Sequence, residues 1–170
     1  MLKKNKIKSN IIGLDIGLVF GRFFLNTEDL HFGCWHKNEK PSVQNFAQAQ
    51  NNHSQLIIDS IPKKSCKILD VGSGSGNLAL KLLNLGYKVD CVIPSKYLAK
   101  AVKEKIHNNG KIHICKFENL NSTELYDVII FSESFQYVNM NTAFLKIQNI
   151  LTNNGCLIIC DFFKLTNIEK

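Results

Sequence analysis

The stretch that most constrains the fold of this chain is Lys67 to Leu80, KILDVGSGSGNLAL. A short apolar run reaches an acid, Asp70, and three glycines then follow at alternate positions, Gly72, Gly74 and Gly76. An apolar-periodic stretch begins directly after them. Because glycine adopts positive φ and lets a ligand approach the backbone, this pattern predicts a buried strand, a tight turn and the start of a helix. The first N–H groups of that helix would face whatever lies in the turn.

The glycine spacing distinguishes three kinds of nucleotide-binding turn. A phosphate-binding P-loop has the pattern G-x-x-x-x-G-K-[ST], which this stretch does not contain. The dinucleotide pattern G-x-G-x-x-G would require glycine at position 77, which is Asn77. The pattern that remains is D-x-G-x-G-x-G. Taken alone, it also fits the strand-turn-helix of any α/β protein, so the flanking chain has to decide between the alternatives.

Apolar strands and helices alternate along the rest of the chain. Strands are predicted over residues 67–71, 87–93, 111–115, 126–131 and 155–161, and helices over 77–85, 96–107 and 140–151. The strands are mostly uninterrupted apolar runs, which is typical of a parallel sheet covered on both faces. The sequence therefore predicts an α/β protein with a doubly wound parallel sheet. Ligands of such a sheet bind at the carboxyl ends of the strands, near the topological switch point.

The first 62 residues are predicted to form a helical segment that precedes the core domain over 63–170. Lys3 to Phe24 has the basic start and apolar run of a signal peptide, but Asp15 and Arg22 interrupt it and no cleavage site follows. The segment is also too short and too charged to span a bilayer. Five apolar residues instead recur at helical spacing and predict an amphipathic helix that lies on the domain or over its active site: Ile12, Ile16, Val19, Phe20 and Phe23.

Composition is that of a single domain from a reducing compartment. With 170 residues, of which 45% are hydrophobic, the chain is long enough for one sizeable core. The six cysteines include no C-x-x-C pair, so we expect free thiols and a cytoplasmic location. The formal net charge of +7 would favour an anionic partner, but lysines concentrated at the N-terminus and on one helix are more simply solvated faces.

Three further stretches connect the glycine turn to a known family. Residues 115–120 (CKFENL) resemble the adenine-binding loop of the class I S-adenosylmethionine-dependent methyltransferases. Residues 126–138 (YDVIIFSESFQYV) resemble the fourth strand of that family and the turn after it, and residues 149–163 (NILTNNGCLIICDFF) resemble its fifth strand with the preceding helix. The glycine turn resembles motif I. About two thirds of the chain can be aligned with the family in this way. The resemblance implies a Rossmann-like fold with S-adenosyl-L-methionine as cofactor.

The resemblance also implies a set of cofactor-binding residues. The glycine turn would line the methionine end of the cofactor, with Asp70 close to its amino group, and Phe117 and Glu118 would be the adenine contacts. The complete implied set is Asp70, Gly72, Ser73, Gly74, Gly76, Ile93, Pro94, Ser95, Phe117, Glu118, Ser132 and Glu133. A proton acceptor, where the methyl acceptor requires one, would be His31, Glu133 or Tyr137.

The N-terminal segment resembles the lid of small-molecule methyltransferases, the group that includes cyclopropane-fatty-acid-synthase-like enzymes. The resemblance rests on DLHFGCW at 29–35 and on Ala49-Gln50. The first stretch lies in an irregular loop predicted over 26–41, and the second lies in a helix predicted from Ser42 to about Pro62. The lid would bring His31, Phe32, Gly33 and Trp35 to the site. A metal site formed by His31, Cys34 and His36 is a weaker alternative, because that spacing fits no familiar zinc signature, and no metal is expected.

Two departures from the family pattern bear on activity. The family places an acid at the end of the second strand, where it binds the ribose hydroxyls, whereas this chain has Ile93 there and Asp90 three residues earlier. Losing that carboxylate would cost a few kcal/mol of cofactor binding unless Ser95 or a water molecule replaces it, so we expect an altered ribose pocket. The second departure is the missing C-terminal antiparallel hairpin. The chain is then a fragment, a truncated fold, or a subunit whose exposed sheet edge is covered by a partner or a second copy.

The expected function is methyl transfer from S-adenosyl-L-methionine to a small molecule by in-line displacement. A catalytically impaired methyltransferase-like subunit is one alternative, which Ile93 and the short C-terminus favour. RNA is a second candidate acceptor, which the basic N-terminal residues favour. Methylation of an exocyclic base amine is disfavoured, because SESF stands where such enzymes carry [DN]-P-P-[FYW].

Overall fold

The computed structural model describes residues 9–62 and 66–162, with side chains from residue 12 onwards. The predicted alternation of strands and helices is confirmed. The elements are α1 (Ser9–Phe20), α2 (Val43–Asp59), β1 (Lys67–Val71), α3 (Asn77–Asn84), β2 (Lys88–Val92), α4 (Lys96–Ile106), β3 (Ile112–His113), β4 (Tyr126–Ser132), α5 (Met140–Ile150) and β5 (Leu151–Cys160). A short π-helical turn, Gly21–Leu25, continues α1. The basic N-terminal residues Lys3, Lys4, Lys6 and Lys8 lie outside the described residues, as does Phe163.

The five strands form one sheet in the order β3-β2-β1-β4-β5, and every pair is parallel. The predicted doubly wound α/β fold is therefore confirmed. The chain runs outward from β1 through β2 to β3 and then returns to the other side of β1, so the switch point lies between β1 and β4. Within the described ranges, β5 pairs with β4 alone and no antiparallel strand follows it. A partner on the free edge of β5 stays a prediction.

The sheet is covered on both faces by apolar clusters, as its uninterrupted apolar strands indicate. On one face, Ile68 and Ile130 pack with the inner side of α3 and α4. On the other face, Leu69 and Phe131 pack with α5. Asp70 follows Ile68 and Leu69 in β1 and is itself buried. The core therefore holds the end of β1, and with it the glycine turn, in a fixed position.

The structure corrects the predicted start of β5. The strand begins at Leu151, four residues before the predicted position, and Leu151 pairs with Tyr126. An irregularity between Tyr126 and Val128 shifts the register before the regular pairing resumes at Cys156. Sequence pattern could not predict this extension, because the exposed polar residues Asn153 and Asn154 of the bulge are typical of a loop.

The structure also corrects the predicted buried face of α1. Ile12, Ile16, Val19, Phe20 and Phe23 are all exposed, Phe23 to 80%. The residue of α1 that reaches the core is instead Leu18, which is fully buried. Periodicity correctly indicates a helix, but the contact with the core is made by a single leucine on the opposite side.

None of the helices in the described ranges has both the length and the apolar character that crossing a membrane requires.

Candidate active site

The turn after β1 is built by glycines with positive φ. At Gly72, where φ is +75°, an added Cβ would lie 2.5 Å from the Cβ of Ser134, so this position has no room for a side chain. Gly74, at φ +54°, has Leu30 Cδ1 as its nearest neighbour at 3.7 Å. The backbone N–H of Gly72 donates to Val92 O at 2.8 Å, which ties the turn to β2. Bare backbone is therefore presented at the carboxyl end of β1, with the loop before α2 lying against it.

Asp70 is an acid without a partner at the end of β1. It is 1% exposed, and neither carboxylate oxygen has a hydrogen-bond partner among the described residues. Burial raises the pKa of this carboxyl to about 7. Because an unpaired buried carboxylate is costly, the site favours a ligand that brings a cationic or hydrogen-bond-donating group to Asp70.

At the end of β2, the position where an acid was expected is apolar and covered. Ile93 is 2% exposed and packs with Leu18 of α1. Ser95 begins α4, where its Oγ accepts a hydrogen bond from the N–H of Leu98 at 3.1 Å. The same Oγ donates to Asp15 Oδ1 at 3.0 Å. A carboxylate from α1 therefore reaches the end of β2, while Pro94 is exposed to solvent.

Asp90 has a structural role. Its Oδ2 accepts from the hydroxyl of Tyr126 at 3.0 Å, and its Oδ1 accepts from the backbone N–H of Lys111 at 2.7 Å. Lys67 Nζ lies 3.4 Å from Oδ2. Both Asp90 and Tyr126 are buried. Because its oxygens are occupied inside the sheet, Asp90 does not replace the acid that position 93 lacks.

Replacing Asp90 with alanine is expected to lower the free energy of unfolding by about 3 kcal/mol, because it removes the carboxylate to which the buried Tyr126 hydroxyl donates and one partner of a half-buried ion pair. Cofactor affinity of the folded variant should be unchanged. Denaturant unfolding and calorimetry measure the two quantities, with Asp59→Ala on the exposed end of α2 as the control. Weaker cofactor binding by folded Asp90→Ala would mean that Asp90 does contact the cofactor.

The residues predicted to contact adenine are not all free to do so. Phe117 is 3% exposed, and its ring stands edge-on to Phe131 with the centroids 5.2 Å apart. It therefore belongs to the core on the α5 side of the sheet. Glu118 is half-buried, and its Oε1 accepts from the backbone N–H of Asn139 at 2.8 Å.

The turn after β4 brings Glu133 to the loop before α2. Glu133 has φ +48°, and its N–H donates to Cys160 O at 2.7 Å, which ties the start of this turn to the end of β5. Both of its carboxylate oxygens accept from the N–H of Phe32, each at 3.2 Å. Ser132 is half-buried at the end of β4, whereas Tyr137 is 78% exposed. Of the three candidate proton acceptors, Glu133 and His31 are brought together and Tyr137 lies apart.

The loop before α2 is held in place by buried polar contacts. Gln50, which is 1% exposed, donates through Nε2 to His31 O at 2.6 Å and accepts through Oε1 from the Thr27 hydroxyl at 2.6 Å. Gly33 has φ +85°, and an added Cβ would lie 2.7 Å from the backbone of Ala49. Glycine at position 33 therefore allows the loop to lie directly on α2, which directs His31 toward this helix.

His31 contacts His53, which in turn contacts Cys160, and neither of these two residues was predicted for the site. Its ring stacks on that of His53 with the centroids 4.2 Å apart. His53 Nε2 lies 3.3 Å from Cys160 Sγ and 3.8 Å from Glu133 Oε1. Burial lowers the pKa of both histidines, that of His31 to about 3, and raises the pKa of Glu133. The signal for His53 was a histidine on the apolar side of the second predicted helix. Cys160, in an apolar strand, gave no such signal.

The alternative metal site is not formed. Cys34 and His36 are exposed on the loop, and in the described part of the chain the potential ligand atoms that lie within 4.8 Å of one another belong to His31, His53 and Glu133.

A cavity of about 500 Å³ lies along α3, and its lining includes Asn77, which follows the glycine turn, but none of residues 72–76. It lies between the loop before α2, α2 itself and the start of α3, and its lining includes Asp29, Asn51, Asn77 and Lys81. The space along α3 is therefore polar and bordered by the N-terminal segment.

Comparison with known proteins places the core in a family. The family model described as "Methyltransferase domain" matches residues 69–159. The chain is 32% identical over 107 residues to the ribosomal RNA small subunit methyltransferase A of Campylobacter fetus, covering 61% of this chain and 38% of that protein. It is 26% identical over 113 residues to an uncharacterized methyltransferase of Bacillus cereus, covering 65% of this chain and 53% of that protein. The chain thus spans about half the length of these relatives or less.

Solved structures show the same fold. Coclaurine N-methyltransferase, bound to N-methylheliamine and SAH, superposes with a TM-score of 0.70 at 20% identity, over 88% of this chain and 48% of that one. Geranyl diphosphate C-methyltransferase from Streptomyces coelicolor, in complex with Mg²⁺, geranyl-S-thiolodiphosphate and S-adenosyl-L-homocysteine, gives a TM-score of 0.70 at 14% identity, over 85% of this chain and 59% of that one. The predicted Rossmann-like methyltransferase fold is confirmed.

Proposed function

Because this chain belongs to the methyltransferase domain family, we propose that it binds S-adenosyl-L-methionine at the carboxyl end of β1 and transfers the methyl group to a small molecule. The observation that carries the proposal is the bare glycine turn beside the unpartnered carboxyl of Asp70. Solved structures of the same fold hold S-adenosyl-L-homocysteine, which supports this cofactor class.

The residues around the turn fit the methionine end of this cofactor. Asp70 would accept hydrogen bonds from the cationic amino group, which supplies the partner that its buried oxygens lack. Gly74 leaves the backbone accessible, because only Leu30 lies near the position of its absent Cβ. Leu30 and its neighbours would therefore form one wall of the site. Gly72, Ser73 and Gly76 shape the turn beneath it.

The ribose end would be bound in an unusual way. Ile93 is buried under Leu18 and offers no acceptor. Ser95 and Asp15, which are hydrogen-bonded to each other, bring a hydroxyl and a carboxylate to the same end of β2. We expect these two residues to take the place of the acid that the family usually carries at position 93, and Glu118 rather than the buried Phe117 to face the adenine.

Methyl transfer requires orientation and exclusion of water more than it requires proton transfer. When bound, the cofactor supplies an activated methyl group. The chain's part is to hold the acceptor beneath the loop before α2, where Phe32 is already tied to Glu133. His31 would serve as a wall of the acceptor site, since its low pKa leaves the ring neutral and weakly basic at pH 7. Glu133 would border both cofactor and acceptor.

RNA is retained as a second candidate acceptor because of one comparison. The relative from Campylobacter fetus is named as a ribosomal RNA methyltransferase, and the net charge of this chain is +7. Basic proteins bind RNA with strong salt dependence. The small molecules in the two structures of the same fold favour the first candidate.

Incubating the chain with labelled S-adenosyl-L-methionine and a cell extract separated into a small-metabolite fraction and an RNA fraction tests the proposal. We expect label in the small-metabolite fraction, and none with a variant whose glycine turn is filled. Label confined to RNA would establish the second candidate instead. Cofactor binding without transfer to either fraction would favour a catalytically impaired subunit.

A further inference from the structure

Four side chains meet where the loop before α2, α2 itself and the carboxyl ends of β4 and β5 come together. His31 lies on the loop, His53 on α2, Glu133 directly after β4, and Cys160 at the last position of β5. We call these residues the four-donor cluster. His53 is its centre, with Nε2 at 3.3 Å from Cys160 Sγ and 3.8 Å from Glu133 Oε1. Single ligand atoms of His31, His53 and Glu133 all lie within 4.8 Å of one another.

The histidines of the cluster carry polar atoms without partners. Nδ1 of both His31 and His53 is buried and makes no hydrogen bond to the described residues. The side chains of His31 and His53 are 11% and 6% exposed. Buried polar atoms are usually paired, so two unpaired imidazole nitrogens side by side call for an explanation. A hydrogen bond between the Cys160 thiol and His53 Nε2 leaves both Nδ1 atoms unpaired, whereas an ion bound by His53 Nε2 and His31 Nδ1 would give a partner to the Nδ1 of His31.

Two separations within the cluster, both measured from His53 Nε2, match those around a zinc ion. With bonds of about 2.0–2.3 Å, two ligand atoms of a tetrahedral zinc ion stand roughly 3.3–3.8 Å apart. The distances from His53 Nε2 to Cys160 and to Glu133 already lie in this range. His31 would join by reorientation of its ring, which now stacks on that of His53 and has a ligand atom within 4.8 Å of those of His53 and Glu133. Its Nδ1 is unpaired while its Nε2 lies 3.9 Å from Asp29 Oδ1, which is the carboxylate–histidine–metal arrangement that supports many zinc ligands.

The charges around the cluster also favour a cation. Within the described ranges, the ion-pair contact of Glu133 is with His53, and no lysine or arginine pairs with this carboxylate. Asp29 and Asp161 also interact electrostatically with His53. Lys81 is a cation that interacts electrostatically with both histidines. A divalent ion would offset a local excess of carboxylate charge that the side chains present leave partly uncompensated.

We propose that His31, His53, Glu133 and Cys160 bind one zinc ion, which joins the N-terminal segment to the ends of β4 and β5. Binding converts the Cys160 thiol to a thiolate and releases its proton to solvent. Two ligands come from the N-terminal segment and two from the sheet, so the ion fixes the loop over the site. The proposal stands on the donor geometry and is independent of methyl transfer.

A competition titration of the reduced, metal-free chain against a chromophoric zinc chelator tests the stoichiometry and the ligands. We expect one zinc ion per chain, and affinity reduced by about 100-fold or more in Cys160→Ser and in Glu133→Gln, since even residues behind the ligands are worth 10–100-fold. The double variant Cys34→Ser, His36→Ala is the matched control, because it removes an exposed cysteine and histidine of the same loop, and should bind as the wild type does. Absence of saturable zinc binding, or equal affinity in Cys160→Ser and the wild type, would overturn the proposal.

Cobalt substitution identifies the thiolate directly. The cobalt-loaded chain should show the near-ultraviolet charge-transfer absorption of a cobalt–thiolate bond, which Cys160→Ser should lose and Cys34→Ser should keep. Loss of this band in Cys34→Ser alone would place the metal on the exposed loop and refute the four-donor cluster. Both serine variants replace only sulfur by oxygen, so each is expected to fold, and a circular dichroism spectrum verifies that it does.

Discussion

Arginine in place of Gly74 is expected to reduce affinity for S-adenosyl-L-methionine by more than about 100-fold, because the side chain would occupy the space over the turn that the cofactor's methionine end requires. The substitution should leave the fold intact. An added Cβ at Gly74 would have Leu30 Cδ1 as its nearest neighbour at 3.7 Å, and φ is +54°, so the strain cost is about 1–2 kcal/mol. Calorimetry measures the affinity and thermal unfolding measures the stability.

Gly86→Arg is the matched control for this variant. Gly86 also has positive φ, at +87°, and no atom lies within 4 Å of its absent Cβ. It therefore carries the same backbone strain without touching the turn. We expect Gly86→Arg to bind the cofactor as the wild type does. Equal binding by Gly74→Arg and Gly86→Arg would show that the cofactor lies elsewhere.

Cofactor affinity is expected to rise with pH through neutrality because of Asp70. Burial raises the pKa of this carboxyl to about 7, and the amino group of the cofactor is best bound by its ionised form. Protonation at lower pH therefore competes with binding. We predict that the dissociation constant is about tenfold larger near pH 6 than near pH 8. Calorimetry at both pH values measures it.

Asp70→Asn tests the origin of that dependence. The amide cannot ionise, so affinity should be low and nearly independent of pH. The ligand-free variant should also be more stable than the wild type above pH 4. In the wild type, the pKa of Asp70 is 3.8 in the unfolded chain and about 7 in the folded one, so the folded protein loses stability as the pH rises between these values. The gain should approach about 4 kcal/mol by pH 7. If the cofactor affinity of Asp70→Asn varies with pH as that of the wild type does, a group other than Asp70 is responsible for the pH dependence.

The periodic parts of the fold could be predicted from the sequence because they depend on local pattern. β1 has the predicted bounds, Lys67–Val71, and the other strands and helices of the core are found in the predicted order. The burial of the N-terminal helix could not be predicted in this way. The spacing of apolar residues identified the apolar side of α1. Which side meets the core depends instead on the packing of Leu18 against Ile93, which is about 75 residues away in the sequence.

The residues of the candidate site also differ in whether local sequence pattern could predict them. The glycine turn and Asp70 are neighbours in the chain, so their juxtaposition follows from the sequence. His53 and Cys160 are 107 residues apart in the sequence, and they meet because α2 packs on the face of the sheet to which Cys160 belongs. Phe117 shows the converse, since a residue in the expected loop proves to belong to the core. The functional assignment of the individual residues stays a prediction.

Calorimetric titration of the wild-type chain with S-adenosyl-L-methionine tests the central claim most directly, because the proposed methyl transfer depends on a cofactor at the end of β1. The account predicts saturable binding of one cofactor per chain near pH 8, where Asp70 is ionised. A folded chain that gives no binding heat with millimolar cofactor would contradict it.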